Sequence, residues 1–346
     1  MKIKSAYIDQ LFNEFDYDIE LFDTLTFLHS PNGFGKSTLM HLISSSLKGD
    51  LKYISDTMFQ RMDIGFDEGT VLIVENNGGD LLVQMQRNEL ETKIDEEEMA
   101  SLCDVIYIPP ERLVLKKRDG HLASALDAYA QELYESIRYA KELGELRPPS
   151  KDIAEGKSDA ELEFLAKDLK AKLDFIKDGG LEPNLPPRLR FPPSRYELTS
   201  NRDEYVQLIG SIADYVDRNY NLAESIIVFK DIVNEIFINK SVVVSESGKL
   251  GIQMDNGTAL QLSRLSSGEK QILIMFYILL FHATPGSLVI VDEPEISLHV
   301  SWQQKLADLF LNICRVRNLQ MIVATHSPQI IHDKWDLTVE LRPGNA

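Results

Sequence analysis

The sequence predicts an α/β protein with a mainly parallel sheet, an N-terminal antiparallel β-subdomain and a helical insertion in the middle of the chain. Three observations carry this reading. Leu25 to Leu28 reads as a strand that runs into a Gly-containing loop and then the apolar-periodic segment Ser37 to Leu47. The apolar runs Leu288 to Val291 and Gln320 to Ala324 alternate with helical patterns over Gly268 to His282 and Ser301 to Arg315, as strands buried on both faces of a parallel sheet do. Between these halves, about Leu113 to Asn239 carries charged helical patterns.

Taken in order, Ile3 to Ile8 and Tyr17 to Leu21 alternate apolar and polar residues, the period of a half-buried strand. Val71 to Val74 and Leu81 to Met85 flank Asn76-Asn77-Gly78-Gly79-Asp80, a strong hairpin signal. Asp104 to Ile108 is a short strand closed by Pro109-Pro110. Helices are predicted over Leu122 to Tyr139, Ala160 to Ile176 and Asp203 to Tyr215. Glu182 to Ser194 holds five prolines, which forbid a helix there and predict an extended connector. Strands return at Ser241 to Ser245 and Leu250 to Met254, and a last one lies near Leu337 to Leu341. The expected division is 1–112 and 241–346 for the two halves of the α/β domain, packed together, and 113–240 for the insertion.

The 346 residues, 44% hydrophobic and 26% charged, suit a globular chain that buries a full core. A net charge of −18 excludes non-specific nucleic-acid binding over the whole surface, because Lys and Arg neutralising phosphates dominate that affinity. A local basic patch stays compatible with it. Two cysteines, Cys103 and Cys314, exclude a disulfide framework and a Cys-rich zinc site, and fit a reducing compartment. The N-terminus lacks the apolar stretch of a signal peptide, and the longest apolar run, Ile272 to Phe281, is about half of what spans a bilayer. A cytoplasmic protein with no membrane segment is expected.

Four motifs carry chemistry. Ser30-Pro31-Asn32-Gly33-Phe34-Gly35-Lys36-Ser37-Thr38 has the small residues that let successive N–H groups turn around phosphate oxygens, a lysine for phosphates, a hydroxyl for Mg²⁺, and a following helix whose N-terminus faces the anion. Its first position is Ser30 where the phosphate-loop pattern has glycine, so the backbone there has to avoid a glycine-only conformation. Ser287-Leu288-Val289-Ile290-Val291-Asp292-Glu293-Pro294 delivers two carboxylates at the end of a buried strand, the first suited to Mg²⁺ and the second to polarising water. Leu265-Ser266-Ser267-Gly268-Glu269 opens an apolar helix, and Ala324-Thr325-His326-Ser327 follows a strand. Taken singly, the last two read as a common helix cap and a structural histidine. Their order, with 25 residues from Ser267 to Asp292 and 33 from Glu293 to His326, suits one strand–helix step each.

Together these motifs resemble the ABC-type P-loop ATPases, over about residues 1–110 and 240–346. The resemblance implies ATP and Mg²⁺ as ligands. Asn32, Gly33, Gly35, Lys36, Ser37 and Thr38 would bind nucleotide, Ser37 and Asp292 would hold Mg²⁺, and Glu293, His326 and Lys36 would act on the reacting phosphate and water. It also implies that Ser267 and Gly268 cap ATP on another protomer, which predicts a homodimer or higher oligomer. Asp292-Glu293-Pro294-Glu295-Ile296-Ser297-Leu298-His299 is similar to the SMC/RecF/OLD-like branch, which includes short prokaryotic AAA-type ATPases of Septu- and retron-linked phage defence. Transporter cassettes usually carry Ser-Ala-Leu-Asp after the Asp-Glu pair.

The function this implies is ATP hydrolysis coupled to a separate effector, a nuclease or toxin, in anti-phage defence or DNA maintenance. A transporter subunit and a slow-turnover scaffold are the alternatives. No metal-binding acidic domain is expected in the roughly twenty residues after His326, so nucleolytic activity is expected on another polypeptide. Gln84 and Gln86 are weak candidates for a nucleotide-sensing glutamine. Arg112 is a candidate sensor, and Phe12 and Phe15 are candidates to stack on adenine, although both types are more often core. Arg188, Arg190 and Arg195, with Phe191 and Tyr196, form a basic island suited to an acidic partner or nucleic-acid phosphates, or else to pairing with neighbouring acidic residues.

Overall fold

The period-two pattern of the N-terminal region becomes six antiparallel strands in the computed structural model, which describes all residues except 89, 117–120, 143–145, 151–152, 246 and 343–346. The elements of this region are β1 (Ile3–Leu11), β2 (Phe15–Glu20), β3 (Leu25–His29), α1 (Lys36–Lys48), α2 (Leu51–Asp56), β4 (Arg61–Phe66), β5 (Val71–Asn77), β6 (Asp80–Arg87), β7 (Leu90–Lys93), α3 (Glu96–Leu102) and β8 (Val105–Ile108). The antiparallel sheet has the order β2-β1-β4-β5-β6-β7. Asn77 pairs with Asp80 across the two-residue turn that joins β5 to β6, as the Asn-Gly signal predicts. Gln84 and Gln86 lie within β6, paired with β5 on one side and β7 on the other.

Residues Val114–Ser266 form a compact unit of their own. It contains β9 (Val114–Lys116), β10 (Leu122–Ser124), α4 (Ala125–Glu142), α5 (Asp159–Asp178), α6 (Arg195–Ser200), α7 (Arg202–Ile236), β11 (Lys240–Val244), β12 (Leu250–Met254) and β13 (Ala259–Leu260). Buried Leu162, Ala166, Leu169, Leu173 and Ile176 recur every three or four residues, so α5 turns one apolar stripe inward. A full capping box at Ser158 and Glu161 fixes its start. The Pro-rich segment is non-helical, with a turn from Pro186 to Leu189, until Ser194 caps α6. β11 to β13 form a three-stranded antiparallel sheet within this unit, so its end at Ser266 lies past the division at 240 expected from composition.

The rest of the chain supplies α8 (Ser267–Tyr277), β14 (Leu288–Asp292), α9 (Val300–Arg317), β15 (Gln320–Thr325), α10 (Pro328–Ile331) and β16 (Thr338–Glu340). With residues 1–113 these make the other compact unit. Its central sheet, β16-β3-β15-β14-β8, is parallel throughout. All five residues of β14 and all six of β15 are buried, as strands covered on both faces have to be. One apolar cluster joins Ile8 of β1, Ile64 of β4 and Val74 of β5 to Leu42 and Ile43 of α1, and to Ile290 and Ile322 of the parallel sheet. Burial of Leu39, Met40, Leu42 and Ile43, at roughly 1.5–3 kcal/mol each, outweighs the poor helix propensity of Ser44, Ser45 and Ser46, about 0.5 kcal/mol each. Gln320 ties the sheets together. Its side-chain oxygen accepts from the Ile3 amide at 2.9 Å, and its amide nitrogen donates to the Ile3 carbonyl at 2.7 Å.

Candidate functional site

The parallel sheet brings the carboxyl ends of β3, β14 and β15 to one edge, the place where open α/β sheets hold ligands. Each of the three strands leads into one of the predicted motifs.

After β3 the chain turns through the loop and enters α1 at Lys36. Gly35 has φ 70°, and a Cβ there would meet Leu11 Cδ2 at 2.9 Å, so both backbone and space call for glycine. Ser30 is buried and has no left-handed backbone, which is why serine is accepted where the motif has glycine. The Tyr17 hydroxyl donates to the Phe34 carbonyl at 2.7 Å, and the Phe15 ring lies 5.8 Å from that of Phe34. Phe15 therefore supports the loop from below. Phe12 is 41% exposed beside Gly35.

Lys36 is buried, and its amine donates to the Ser30 carbonyl at 3.2 Å. His326 Nδ1 donates to the same carbonyl at 2.9 Å, which leaves the Nε2 lone pair for the Lys36 amine, also at 2.9 Å. Glu293 Oε1 lies 3.3 Å from that Nε2. Loss of hydration lowers the Lys36 pKa from its ordinary value, opposed by the negative charges of Glu293, Asp292 and Glu295. Pro31 to Thr38, Glu293 and His326 line an open cleft of about 290 Å³. Asn32, Gly33, Gly35, Lys36, Ser37, Thr38, Glu293 and His326 thus come together, although the loop and the histidine, whose ring meets the Ser30 carbonyl, lie 296 residues apart in sequence.

Asp292 stands behind this cleft, fully buried. Tyr107 donates to its Oδ2 at 2.9 Å, while Oδ1 has no hydrogen-bond partner. Such an unmet buried oxygen costs about 1–3 kcal/mol or more for a charged group, and a hard cation is its natural complement. The donor set of Asp292 and Ser37 fits Mg²⁺ on that ground. Burial and the Asp292 charge push the Tyr107 hydroxyl pKa far up, so it stays a donor.

Glu293 has φ 44°, a left-handed conformation that costs a non-glycine residue about 1–3 kcal/mol, and its amide donates to the Ala324 carbonyl at 2.9 Å. Ser267 and Gly268 do not line the cleft; they open α8, where Gly268 packs against the Ser297 carbonyl. Arg112 is buried and donates to the carbonyls of Pro109 at 3.2 Å and Pro294 at 3.1 Å. Burial lowers its pKa to about 10 against the pull of Glu295 and Asp292. It braces the Asp-Glu-Pro turn and does not line the cleft.

Two residues escaped the sequence reading. Glu295 accepts from Thr325 Oγ1 and the His326 amide, both at 2.7 Å, and from the Ser327 amide at 3.2 Å. Tyr107 meets Asp292 from 185 positions away. The only signal for Glu295 was a second glutamate two residues after Glu293. Tyr107 had none.

Among solved structures, the chain is similar to an SMC head bound to the C-terminal winged-helix domain of ScpA, with TM-score 0.50 and 13% identity over 96% of this chain and 91% of that one. A Pyrococcus furiosus SMC head with an extended coiled coil matches at TM-score 0.49 and 14% identity, over 99% and 94% of the two chains. At this identity the likeness is one of fold, an ABC-type P-loop ATPase fold with a parallel core sheet and an antiparallel β-subdomain. An Escherichia coli protein, the retron Ec83 probable ATPase, is 35% identical over 88 residues, which are 22% of this chain and only 16% of that protein. Residues 147–332, more than half of the chain and including Gly268, Asp292, Glu293 and His326, match the family model "AAA domain, putative AbiEii toxin, Type IV TA system", and the chain belongs to that family.

Proposed function

We propose that the protein binds and hydrolyses ATP, closes as a dimer around the nucleotide, and uses that cycle to control a separate effector, a nuclease or toxin, in anti-phage defence. The observation that carries the chemistry is the meeting of Lys36, Glu293 and His326 at the cleft that the phosphate loop lines. An entering γ-phosphate takes the place of His326 and Ser30 as partner of the Lys36 amine. Loop amides from Gly33 to Thr38 surround the β-phosphate, and α1 adds its positive end. Mg²⁺, held by Ser37 and Asp292, supplies neutralisation of charge on the phosphate oxygens when bound. Glu293 orients and polarises the water that attacks the γ-phosphorus while the bond to ADP breaks, and His326 contacts the transferring phosphoryl group. Phe12 offers a face to adenine.

Ser267 and Gly268 lie outside this cleft, which supports capping by the signature of a second copy. The likeness to a retron ATPase and the family's toxin description support the defence role.

The test measures turnover, nucleotide binding and mass together. Glu293→Gln should bind ATP normally, lose at least 100-fold in turnover and accumulate as a dimer, while Lys36→Ala loses binding. Mixed Lys36→Ala and Ser267→Arg protomers should regain activity from one complete site per heterodimer. Wild-type turnover in Glu293→Gln would refute the assignment of the water-orienting group. A confirmed heterodimer without activity would refute capping in trans.

A further inference from the structure

We infer that Glu295 is the positioning residue of this site: its carboxylate fixes the backbone of Thr325, His326 and Ser327, and so sets the imidazole against the nucleotide cleft. This rests on the proposed hydrolysis and deepens it, because it assigns a task to the third carboxylate of Asp-Glu-Pro-Glu.

The two glutamates have opposite surroundings. Glu293 lines the cleft, whereas Glu295 is absent from its wall and turns its Oε1 toward the end of β15. There the carboxylate gathers three donors in consecutive residues: the Thr325 hydroxyl, the His326 amide and the Ser327 amide. Hydrogen bonds to a charged acceptor are about twice as strong as neutral ones. The Thr325 hydroxyl is thereby oriented so that its oxygen accepts from the Ser327 amide at 3.0 Å, which closes the turn on itself.

The other end of His326 shows why this matters. Its ring touches the Lys36 amine, the Ser30 carbonyl and Glu293, all within 3.3 Å. A ring that serves three partners from one side chain has little tolerance for backbone drift, and a 1 Å misplacement in a reacting constellation costs on the order of 10²-fold. The segment after Thr325 leaves the sheet, so the parallel ladder that holds β15 no longer restrains His326. Glu295 takes over from the ladder at that point.

The turn that carries the carboxylate is braced as well. Arg112, itself buried, donates to the Pro294 carbonyl at 3.1 Å, one residue before Glu295. The other carboxylate oxygen, Oε2, has no hydrogen-bond partner, so the three donors at and beyond the end of β15 are what hold the Glu295 side chain.

The experiment compares Glu295→Ala, Glu295→Gln, His326→Ala and the double variant Glu295→Ala/His326→Ala. Steady-state hydrolysis is measured alongside nucleotide affinity and hydrogen exchange of backbone amides. In Glu295→Ala, kcat should fall about 100-fold with KM and nucleotide affinity within about threefold. Glutamine keeps an oxygen acceptor in place and should restore at least tenfold of that loss. The double variant should be no slower than His326→Ala alone, because Glu295 acts through the histidine. Exchange at the His326 and Ser327 amides should quicken at least tenfold in Glu295→Ala while Ile322 and Val323, inside β15, stay protected. Unchanged exchange at those two amides overturns the inference whether or not the protein hydrolyses ATP. Additive losses in the double variant overturn it in a different way, by giving Glu295 a task of its own. A wild-type protein that binds ATP without turnover would instead refute the hydrolytic reading, and the exchange result would still decide the role of Glu295.

Discussion

A single methyl group at Gly268 tests the packing that sets the start of α8. A Cβ there would lie 2.4 Å from the Ser297 carbonyl oxygen, where ordinary contact begins at 3.4 Å, so the two backbones have to part by about 1 Å. Neither side yields easily. Ser297 sits at φ 63° between Glu295 and Leu298, and the Leu298 amide is tied to the Glu295 carbonyl at 2.9 Å. The side chain of Gln303 donates to the Leu298 carbonyl at 3.0 Å and holds the turn from the other direction. Overpacking of this kind costs about 1–3 kcal/mol, against at most about 1 kcal/mol that alanine returns in helix propensity. The clash wins, and a net loss of up to about 2 kcal/mol lowers Tm by up to roughly 3 °C in a chain of 346 residues. Calorimetry of Gly268→Ala, with nucleotide turnover measured well below Tm, reads both consequences. Turnover should drop on the order of 10²-fold, because Glu293 and Ser297 share the displaced turn. A Tm equal to or above that of the parent would refute the reasoning, since helix propensity would then exceed the steric cost.

Two further expectations rest on other parts of the molecule. Tyr17→Phe removes the bond to the Phe34 carbonyl, and should weaken ATP binding several-fold by loosening the phosphate loop; a titration calorimeter showing unchanged affinity would contradict this. Burial pushes the Tyr17 hydroxyl from 10.0 up to about 12, so between those values the folded state keeps a proton the unfolded chain releases, stability falls as pH rises, and the variant should show a shallower alkaline decline in urea-unfolding curves. In the middle unit, Arg188 and Arg190 stand exposed on either side of half-buried Leu189, with Arg195 and Tyr196 exposed at the start of α6. Arg188→Glu combined with Arg190→Glu should weaken binding of a fluorescent single-stranded oligonucleotide at least tenfold and leave ATP turnover within twofold, and equal binding by both proteins would reduce the stretch to a connector.

The strands that were legible in the sequence share one property: a regular pattern, alternating in β1 and β2 and apolar throughout where both faces are covered. β14 and β15 are apolar throughout because both faces are covered, and β3 leads straight into a loop with its own signature. β4 went unread despite its alternating burial, because Arg61, Asp63 and Gly65 are unusual strand residues; Arg61 and Asp63 are held by their own ion pair at 2.8 Å. α3 opens on three consecutive glutamates, which look like a solvated turn until the capping box of Asp95 and Glu98 is recognised. α7 runs to Ile236, well past the predicted Tyr215, because buried Asn219 and Ser225 interrupt the apolar pattern while bonding back to carbonyls four residues earlier.

The site divides along the same line. The residues proposed to touch phosphate are constrained by chemistry common to any phosphate loop, so their types and spacing can be read from one sequence. Residues that hold those in place are constrained only by what the fold puts beside them. Tyr107 and Asp292 lie on neighbouring parallel strands, Asp292 two residues beyond Ile290, the register partner of Tyr107, and nothing in either segment announces a partner 185 positions away. Glu295 is the intermediate case. It stands in a legible motif, but which of three acidic residues lines the cleft, which is fully buried and which meets the backbone depends on where β15 ends. In the folded chain, full burial sets Asp292 apart with one unpartnered oxygen, the left-handed backbone of Glu293 turns it into the cleft, and the amides beyond Thr325 claim Glu295. Three carboxylates within four residues thus acquire three different surroundings, and the roles proposed for them, metal ligand, water-orienting group and brace, rest on those differences.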